Sequence, residues 1–289
     1  MKILVIGGSG MLGYSMFTTL SENPDFEVFA TLRVKLPSDF PHSENVFTNV
    51  ELTKFDTVIR VVERLKPDVV INCAGIIKQH EISNSYTHSI EINSLFPHKL
   101  AELCSTHNTK MIHFSTDCIF SGNTGLYLES DIPDSDALYG KSKALGEVDY
   151  GNHLTLRTSI IGHELNTCVS LIDWFLNQEG KVKGFTKAIF SGLPAHFISK
   201  IISEKLMEME NISGLYHLSS DPINKYDLLK LVATRYGKNI SIEKSDEFVI
   251  DRSLVSDRLK NELRLDIPSW DELVSDMYSD YLNKYANKK

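Results

Sequence analysis

Short apolar runs alternate with amphipathic segments along the first part of the chain. The apolar runs predict four buried strands: Lys2–Ile6, Val28–Leu32, Asp68–Cys73 and Met111–Phe114. The amphipathic segments predict three helices, one from about Leu12, one over Asp56–Leu65 and one through Ile92–Cys104. Strands and helices that alternate in this way predict an α/β fold with a doubly wound parallel sheet.

The alternation loosens after about residue 161, where short segments are separated by Gly180, Gly184, Gly192, Pro194 and Gly214. Within this part, Tyr226–Tyr236 carries apolar residues at helical spacing, which is typical of a helix that packs on a core. We therefore expect a first domain over residues 1–161. A smaller, interleaved C-terminal domain over residues 162–289 is expected to return in part to the first.

The composition is that of an ordinary globular protein. Of the 289 residues, 42% are hydrophobic and 24% are charged. The net charge of −8 argues against a nucleic-acid partner, because phosphate binding needs clustered Lys and Arg. No apolar run approaches a membrane span, and Met1–Gly7 is too short for a signal segment, so we expect a cytoplasmic protein without a membrane partner. The four cysteines lack zinc spacing, which predicts no metal site.

A glycine-rich turn follows the first predicted strand. Residues Gly7–Gly13 read G-x-x-G-x-x-G, at the point where a strand leads into a helix. Gly7 permits a tight turn, Gly10 lets the backbone approach a pyrophosphate, and Gly13 allows close packing of the helix. The helix N-terminus adds N–H groups and a positive dipole. This motif predicts a dinucleotide-binding Rossmann domain, with cofactor contacts from Gly7, Ser9, Gly10, Met11, Leu12 and Gly13.

Tyr139 and Lys143 form a Y-x-x-x-K pair. Residues four apart share one face of a helix, so the Lys143 ammonium can approach the Tyr139 phenol. A phenol with a pKa of about 10 is a poor proton donor near neutral pH, and a nearby cation lowers that pKa. Tyr139 can then act as a general acid on a carbonyl, whose oxygen can also accept a hydrogen bond from Thr116.

These motifs together resemble the short-chain dehydrogenase/reductase superfamily. Asn72-Cys73-Ala74-Gly75 is similar to the superfamily's N-A-G turn, and Asn93 is similar to the asparagine of its next helix. Ser115-Thr116-Asp117 and the Tyr139/Lys143 pair follow in the same order. The resemblance implies catalysis by Thr116, Tyr139 and Lys143. It also implies further cofactor contacts, from Cys73, Ala74, Gly75, Asn93, Tyr139 and Lys143.

The cofactor preference is predicted from Arg33, which follows the second predicted strand. An acidic residue at this place would accept the ribose hydroxyls of NAD, whereas a cation suits the 2′-phosphate of NADP. We therefore expect NADPH as the cofactor. The alternative is a solvated arginine beside Lys35, which leaves NADH open.

One branch of the superfamily is the most similar. The S-T-D-x-x-F-x-G block at Ser115–Gly122 resembles that of dTDP-4-dehydrorhamnose reductases, as do Glu129–Pro133 and Leu156–Ser159. This resemblance implies reduction of a 4-keto-6-deoxy sugar on a nucleotide diphosphate, in surface polysaccharide biosynthesis. The implied substrate contacts are Thr116, Asp117, Cys118 and Arg252, and the C-terminal domain over residues 162–289 is the implied substrate-binding region. Arg252 lies in a block similar to R-P-x-x-S-x-L, and the alternative is a surface loop in which it pairs with Asp251 or Asp257.

Two segments depart from that branch, Gly75–Glu81 and Ala188–Pro194. Their pattern resembles reductases of UDP-linked 2-acetamido-2,6-dideoxy-4-hexuloses, so the nucleotide base stays open. Cys118 stands where sugar-nucleotide dehydratases place a glutamate, and a thiol cannot replace that base. Epimerase-reductases that make GDP-fucose place a cysteine similarly, with a histidine partner for which His163 is the nearest candidate. A buried structural Cys118 is the favoured alternative.

Two other functions remain as alternatives to a reductase. The first is a nucleotide-sugar epimerase or epimerase-reductase, which would use the same trio of residues. The second belongs to another class, a non-catalytic NAD(P)-sensing binding protein, although dinucleotide binding alone needs no general acid. The expected binding partner is a nucleotide-diphosphate sugar, and a homodimer is the candidate oligomeric state.

Overall fold

The structure, a computed structural model, describes residues 1–37, 39–76, 84–165, 167–209 and 211–286. Its strands are β1 (Lys2–Ile6), β2 (Glu27–Thr31), β3 (Val46–Phe47), β4 (Val69–Asn72), β5 (Lys110–Thr116), β6 (Leu154–Thr158), β7 (Ile160–Ile161), β8 (Lys181–Phe185), β9 (Ala188–Phe190), β10 (Leu193–Pro194), β11 (Gly214–His217), β12 (Ile223–Asn224), β13 (Ser241–Ser245) and β14 (Ile250–Asp251). Its α-helices are α1 (Met11–Ser21), α2 (Asp56–Leu65), α3 (Tyr86–Ser89), α4 (Phe96–Thr106), α5 (Leu138–Ala144), α6 (Leu171–Leu176), α7 (Ala195–Ile201), α8 (Lys225–Tyr236), α9 (Asp257–Leu263) and α10 (Trp270–Lys284).

A seven-stranded sheet has the order β11-β6-β5-β4-β1-β2-β3. The pairs β1–β2, β1–β4, β2–β3 and β4–β5 are parallel. This confirms the predicted doubly wound Rossmann sheet. The strand order reverses between β1 and β4, and in such sheets a ligand binds at the carboxyl ends of the strands that flank the reversal.

Most of the predicted elements lie within a few residues of their predicted positions. Helix α2 covers the predicted span because its buried side chains recur at helical spacing, and its C-cap residue, Lys66, has a left-handed φ of 49°. Strand β2 ends at Thr31, one residue before the predicted end. The helix predicted through Ile92 begins earlier, at Tyr86, and passes through a π-helical turn at Ile90–Leu95 before α4.

The chain forms two compact units, each assembled from separate segments. The first unit contains Met1–Ser115, Asp136–Leu156 and Ser199–Leu215. Its core is formed by apolar side chains of the parallel strands and of α2 and α4. The buried members of this core are Leu4, Ile6, Val50, Val58, Val61, Val62, Leu65, Val70, Phe96, Leu100, Ala101, Cys104, Met111 and Val148.

The second unit contains Thr116–Ser135, Arg157–Ile198 and Tyr216–Lys289. Helix α8 packs into its core through Leu228, Leu229 and Val232, which confirms the predicted packing helix. Residues 116–135, which the sequence analysis placed in the first domain, belong to this unit. The assignment of 1–161 to the dinucleotide and of 162–289 to the substrate stays a prediction. In the described parts of the chain, no helix has the length and hydropathy needed to cross a membrane.

Candidate active site

The glycine turn, Gly7–Gly13, follows the carboxyl end of β1 and contains an internal hydrogen bond. Gly7 has a φ of +85°, in the left-handed region, and its carbonyl accepts a hydrogen bond from the Gly10 N–H at 3.1 Å. A Cβ on Gly13 would stand 2.1 Å from the Gly7 oxygen, so only glycine fits there. Gly10 is the N-cap of α1, and the first turn of α1 carries no acidic side chain. The backbone N–H groups of this turn therefore suit an anion.

A second turn, at the carboxyl end of β4, lies directly against the first. A Cβ on Gly7 would come within 3.0 Å of the Ala74 Cβ, and the Ala74 N–H donates to the Asn72 Oδ1 at 3.2 Å. These turns follow the two strands between which the sheet order reverses. The residues present thus fit a dinucleotide, because both turns offer backbone at close approach where the fold binds its ligands.

The end of β2 lies beside the glycine turn. The Gly8 N–H donates to the Thr31 carbonyl at 3.0 Å, and the Gly7 N–H donates to the Thr31 hydroxyl at 3.3 Å. Arg33 follows two residues later and is exposed. A cation is therefore carried just beyond the end of β2, the position at which Rossmann domains distinguish the two dinucleotides.

Asn93 connects the second turn to the helix that carries the predicted catalytic pair. Its side chain is buried within the π-helical turn. Its Oδ1 accepts from the Ile76 N–H at 2.9 Å, and its Nδ2 donates to the Ile76 carbonyl and to the Ser142 hydroxyl, both at 3.2 Å. Ser142 lies in α5 between Tyr139 and Lys143, so Asn93 ties α5 to Ile76, just after the second turn.

Tyr139 and Lys143 both lie on α5, as predicted, with Tyr139 half-buried. Lys143 is only 5% exposed, and its Nζ donates to the Phe114 carbonyl at 2.7 Å. Burial lowers the pKa of Lys143 from its usual 10.5 to about 8, against the opposing attraction of the Glu147 carboxylate. The charged form of Lys143 is therefore destabilised by its burial inside the first unit.

His113 is a residue of this site that the sequence analysis missed. It is fully buried in β5, with its Nδ1 3.0 Å from the Asn72 Nδ2 and its Nε2 3.5 Å from the Lys143 Nζ. Burial lowers the pKa of His113 well below its usual 6.5, and the nearby Lys143 and His98 lower it further. The available signal was a polar ring within the otherwise apolar predicted strand Met111–Phe114, two residues before Ser115 and so on the same face of the strand.

The four predicted substrate residues lie together in the second unit. Thr116 is buried at the end of β5, where its hydroxyl accepts from the Cys118 N–H at 3.2 Å and donates to the Asp117 carboxylate at 3.1 Å. The Arg252 Nη1 contacts the Cys118 Sγ at 3.5 Å. The Arg252 Nε donates to the Phe120 carbonyl at 2.8 Å, so the guanidinium is held on the loop that follows Thr116.

The contacts of Arg252 differ from those of the alternative surface loop. The Asp251 carboxylate accepts from the Ser253 N–H at 3.0 Å and from the Ser253 hydroxyl at 2.6 Å, whereas Arg252 contacts the 118–121 loop. The Arg252 N–H donates to the Ile189 carbonyl at 3.0 Å, which places the predicted segment Ala188–Pro194 beside it. Of the other predicted segment, Gly75–Glu81, residues 77–81 lie outside the described residues.

Nearly the whole chain matches one known protein family. The family described as RmlD substrate binding domain matches residues 1–283. The chain belongs to this family. The RmlD-family chain is 30% identical over 243 residues to a dTDP-4-dehydrorhamnose reductase of Aggregatibacter actinomycetemcomitans, covering 78% of this chain and 76% of that protein. The resemblance that the S-T-D-x-x-F-x-G block predicted is thereby confirmed.

This chain is also similar to a protein that is not named as a reductase and to a solved reductase structure. The RmlD-family chain is 23% identical over 256 residues to methionine adenosyltransferase 2 subunit beta of Bos taurus, covering 81% of this chain and 72% of that protein. A crystal structure of dTDP-4-dehydrorhamnose reductase from Bacillus anthracis in complex with NADP matches with a TM-score of 0.80 at 20% identity, covering 96% of this chain and 99% of that one. The similarity to the Bacillus anthracis structure shows that the two chains share a fold.

His163, the candidate partner of Cys118 in an epimerase-reductase, has other contacts in this RmlD-family chain. Its Nδ1 lies 2.7 Å from the Asp173 carboxylate and its Nε2 lies 2.8 Å from the Tyr236 hydroxyl. Both ring nitrogens are therefore engaged within the second unit, and neither contacts the thiol.

The predicted catalytic trio is divided between the two units of the RmlD-family chain. Tyr139 and Lys143 belong to the first unit and Thr116 belongs to the second. Their joint action on one substrate stays a prediction. Among the described residues, no group of three or more His, Cys, Asp or Glu side chains is arranged to hold a metal ion.

Proposed function

We propose that this chain reduces the 4-keto group of a nucleotide-linked 6-deoxy-4-hexulose with NADPH. The observation that carries the proposal is the Tyr139/Lys143 pair on α5, which Asn93 ties to a turn suited to a dinucleotide. The similarity to the Aggregatibacter reductase supports the same reaction class over three quarters of that protein.

The residues of the first unit would hold the cofactor and supply the proton. The bound cofactor supplies the hydride that reduces the carbonyl carbon. The glycine turn would bind its diphosphate, the backbone of residues 73–75 would line the cofactor, and Arg33 would bind the 2′-phosphate. Tyr139 donates its phenol proton to the carbonyl oxygen, while the Lys143 ammonium favours the phenolate that is left behind.

The residues of the second unit would hold the sugar nucleotide. Thr116 donates a hydrogen bond to the carbonyl oxygen in place of its present bond to Asp117, and Asp117 and Cys118 contact the sugar. The protein is net negative, so a negatively charged diphosphate needs a local cation, and Arg252 supplies it. The substrate is a dTDP-linked or UDP-linked sugar, and we propose that the protein acts in the cytoplasm as a homodimer in polysaccharide biosynthesis.

The test is a substrate panel. The purified protein is incubated with dTDP-, UDP- and GDP-linked 4-keto-6-deoxy sugars, while NADPH absorbance is followed and the products are identified by NMR. We expect NADPH consumption in step with formation of a 4-hydroxyl of one configuration. A product of changed configuration without net NADPH consumption would instead assign an epimerase. Absence of turnover with every sugar would contradict the proposal.

The second candidate function is a non-catalytic dinucleotide-binding subunit. It is favoured by the similarity to a protein named as a subunit of methionine adenosyltransferase. The same panel separates the two candidates, because a subunit of this kind binds NADPH without consuming it. The Tyr139/Lys143 pair favours the enzyme, since dinucleotide binding alone needs no proton donor.

Arg33→Asp is expected to shift the cofactor preference from NADPH toward NADH by about tenfold or more, or about 1.4 kcal/mol of differential binding. A carboxylate repels the 2′-phosphate and accepts hydrogen bonds from the ribose hydroxyls. The measurement is the ratio of the two dissociation constants by fluorescence titration. Lys35→Asp, at a similarly exposed cation two residues away, is the control, and an equal shift in that variant would remove the specific role of Arg33.

Arg252→Ala is expected to raise the KM for the sugar nucleotide at least severalfold, with little change in NADPH affinity. The reason is loss of the cation held on the 118–121 loop. Steady-state kinetics at saturating NADPH measure this effect. Lys187→Ala, at an exposed lysine of the same unit, is the matched control. An unchanged KM in Arg252→Ala would place the arginine outside the substrate site.

A further inference from the structure

A buried chain of three polar side chains ends at Lys143. Asn72, His113 and Lys143 are 1%, 0% and 5% exposed. The Asn72 Nδ2 lies 3.0 Å from the His113 Nδ1, and the His113 Nε2 lies 3.5 Å from the Lys143 Nζ. All three residues belong to the first unit, on β4, β5 and α5.

The hydrogen bonds select one form of the His113 ring. The Ala74 N–H donates to the Asn72 Oδ1 at 3.2 Å, which directs the Asn72 Nδ2 toward the ring. An amide nitrogen can only donate, so the His113 Nδ1 must accept and cannot carry a proton. The neutral ring then carries its proton on Nε2, which faces the Lys143 Nζ.

This form of the ring acts against a charge on Lys143. An N–H dipole that faces an ammonium disfavours the cation, because two donors then point at each other inside a low-dielectric interior. A neutral amine can instead accept the N–H while it continues to donate to the Phe114 carbonyl, which lies 2.7 Å away. A protonated ring would place a second donor against Asn72 and is disfavoured in the same way.

Other titratable groups act on His113 and Lys143. Glu147, just after α5, attracts the ammonium, and its carboxylate also accepts from the Ser115 hydroxyl at 2.6 Å. His98 on α4 acts on His113, and Tyr139 lies on the same helix as Lys143. Burial favours the neutral form of both members of the pair, since it lowers the pKa of each.

We propose that His113 is a positioning residue that sets the pH range over which Lys143 changes its charge, by presenting a fixed Nε2–H to the Nζ. Only the catalytic consequence rests on the proposed function, in which the Lys143 ammonium supports Tyr139. The ionisation of Lys143 itself is a property of the protein without cofactor or substrate. It can therefore be measured whether or not the keto sugar is reduced.

The first test is an NMR titration of the apoprotein with ¹³C-labelled lysine, in which the Lys143 Cε signal is assigned by its loss in Lys143→Met. In His113→Phe the ring remains but the N–H is gone, and we expect the Lys143 pKa to rise by about one, a tenfold gain in proton affinity. In His113→Gln an amide offers both an acceptor and a donor, and we expect a pKa close to that of the unmodified protein. An unchanged or lower pKa in His113→Phe would overturn the proposal, as would a Gln variant that behaves like Phe.

The matched control is His153→Phe. His153 is equally buried in the same unit, where its Nδ1 accepts from the Met111 N–H at 3.1 Å and its Nε2 lies 3.0 Å from the Ser105 hydroxyl. We expect no change in the Lys143 pKa there. An equal rise would assign the effect to loss of a buried histidine in general and would refute the role of His113.

A second measurement needs no variant that could fail to fold. In the unmodified apoprotein with ¹⁵N-labelled histidine, the two ring nitrogens of His113 report which one carries the proton. We expect the neutral Nε2–H form throughout the pH range over which the protein stays folded. A signal from the Nδ1–H form or from the imidazolium near neutral pH would overturn the proposal.

Discussion

Tyr139→Phe is expected to lower kcat for the keto sugar about a thousandfold, while the dissociation constant for NADPH stays nearly unchanged. The phenylalanine ring keeps the half-buried position on α5, so we expect the glycine turn to be undisturbed. The proton donor is lost, and no other phenol replaces it on this helix. Steady-state kinetics with the keto sugar measure kcat, and a fluorescence titration with NADPH measures the dissociation constant.

The matched control for this substitution is Tyr150→Phe. Tyr150 is exposed and lies in the same unit, and its hydroxyl is 2.7 Å from the His98 Nδ1. We expect its removal to leave kcat within about twofold, as for most exposed positions. Comparable turnover of Tyr139→Phe and the unmodified protein would contradict the role assigned to Tyr139.

Lys143→Met is expected to abolish turnover and weaken NADPH binding, yet to raise the free energy of unfolding at neutral pH by about 2 kcal/mol. The folded-state pKa of about 8 lies below the usual 10.5, so at neutral pH the charged Lys143 costs about 3 kcal/mol. Loss of the hydrogen bond to the Phe114 carbonyl offsets about 1 kcal/mol of the gain. Methionine fills a similar volume without a charge.

The sign of this effect depends on pH. The folded protein binds fewer protons at Lys143 than the unfolded chain between pH 8 and pH 10.5, so the unmodified protein gains stability as pH rises through that window. The advantage of Lys143→Met is therefore full below about pH 8 and is lost toward pH 10.5. Urea unfolding at several pH values measures the difference.

Lys141→Met provides the control for Lys143→Met on the same helix. The Lys141 side chain is 59% exposed, and its Nζ lies 3.7 Å from the Asp136 carboxylate. An exposed ion pair of this kind contributes little, so we expect a change of at most about 0.5 kcal/mol without the same pH dependence. A Lys143→Met variant less stable than the unmodified protein at neutral pH would show that burial of the charge is not costly here.

The sequence predicted the features that depend on neighbouring residues. Helix α2 could be placed because Val58, Val61, Val62 and Leu65 repeat at helical spacing. The glycine turn could be placed because its steric demands act within seven residues, as the 2.1 Å approach of a Gly13 Cβ to the Gly7 oxygen illustrates. The Tyr139/Lys143 pair could be placed on one helix face for the same local reason.

The sequence by itself therefore determined the α/β class, the glycine turn and the shared helix of Tyr139 and Lys143, because each follows from local periodicity or local sterics. The tertiary structure decided which distant side chains meet. His113 contacts Asn72 across 41 residues, and Arg252 contacts Cys118 across 134 residues. Such contacts depend on strand order and on the packing of a helix against the sheet, and no spacing along the chain encodes them.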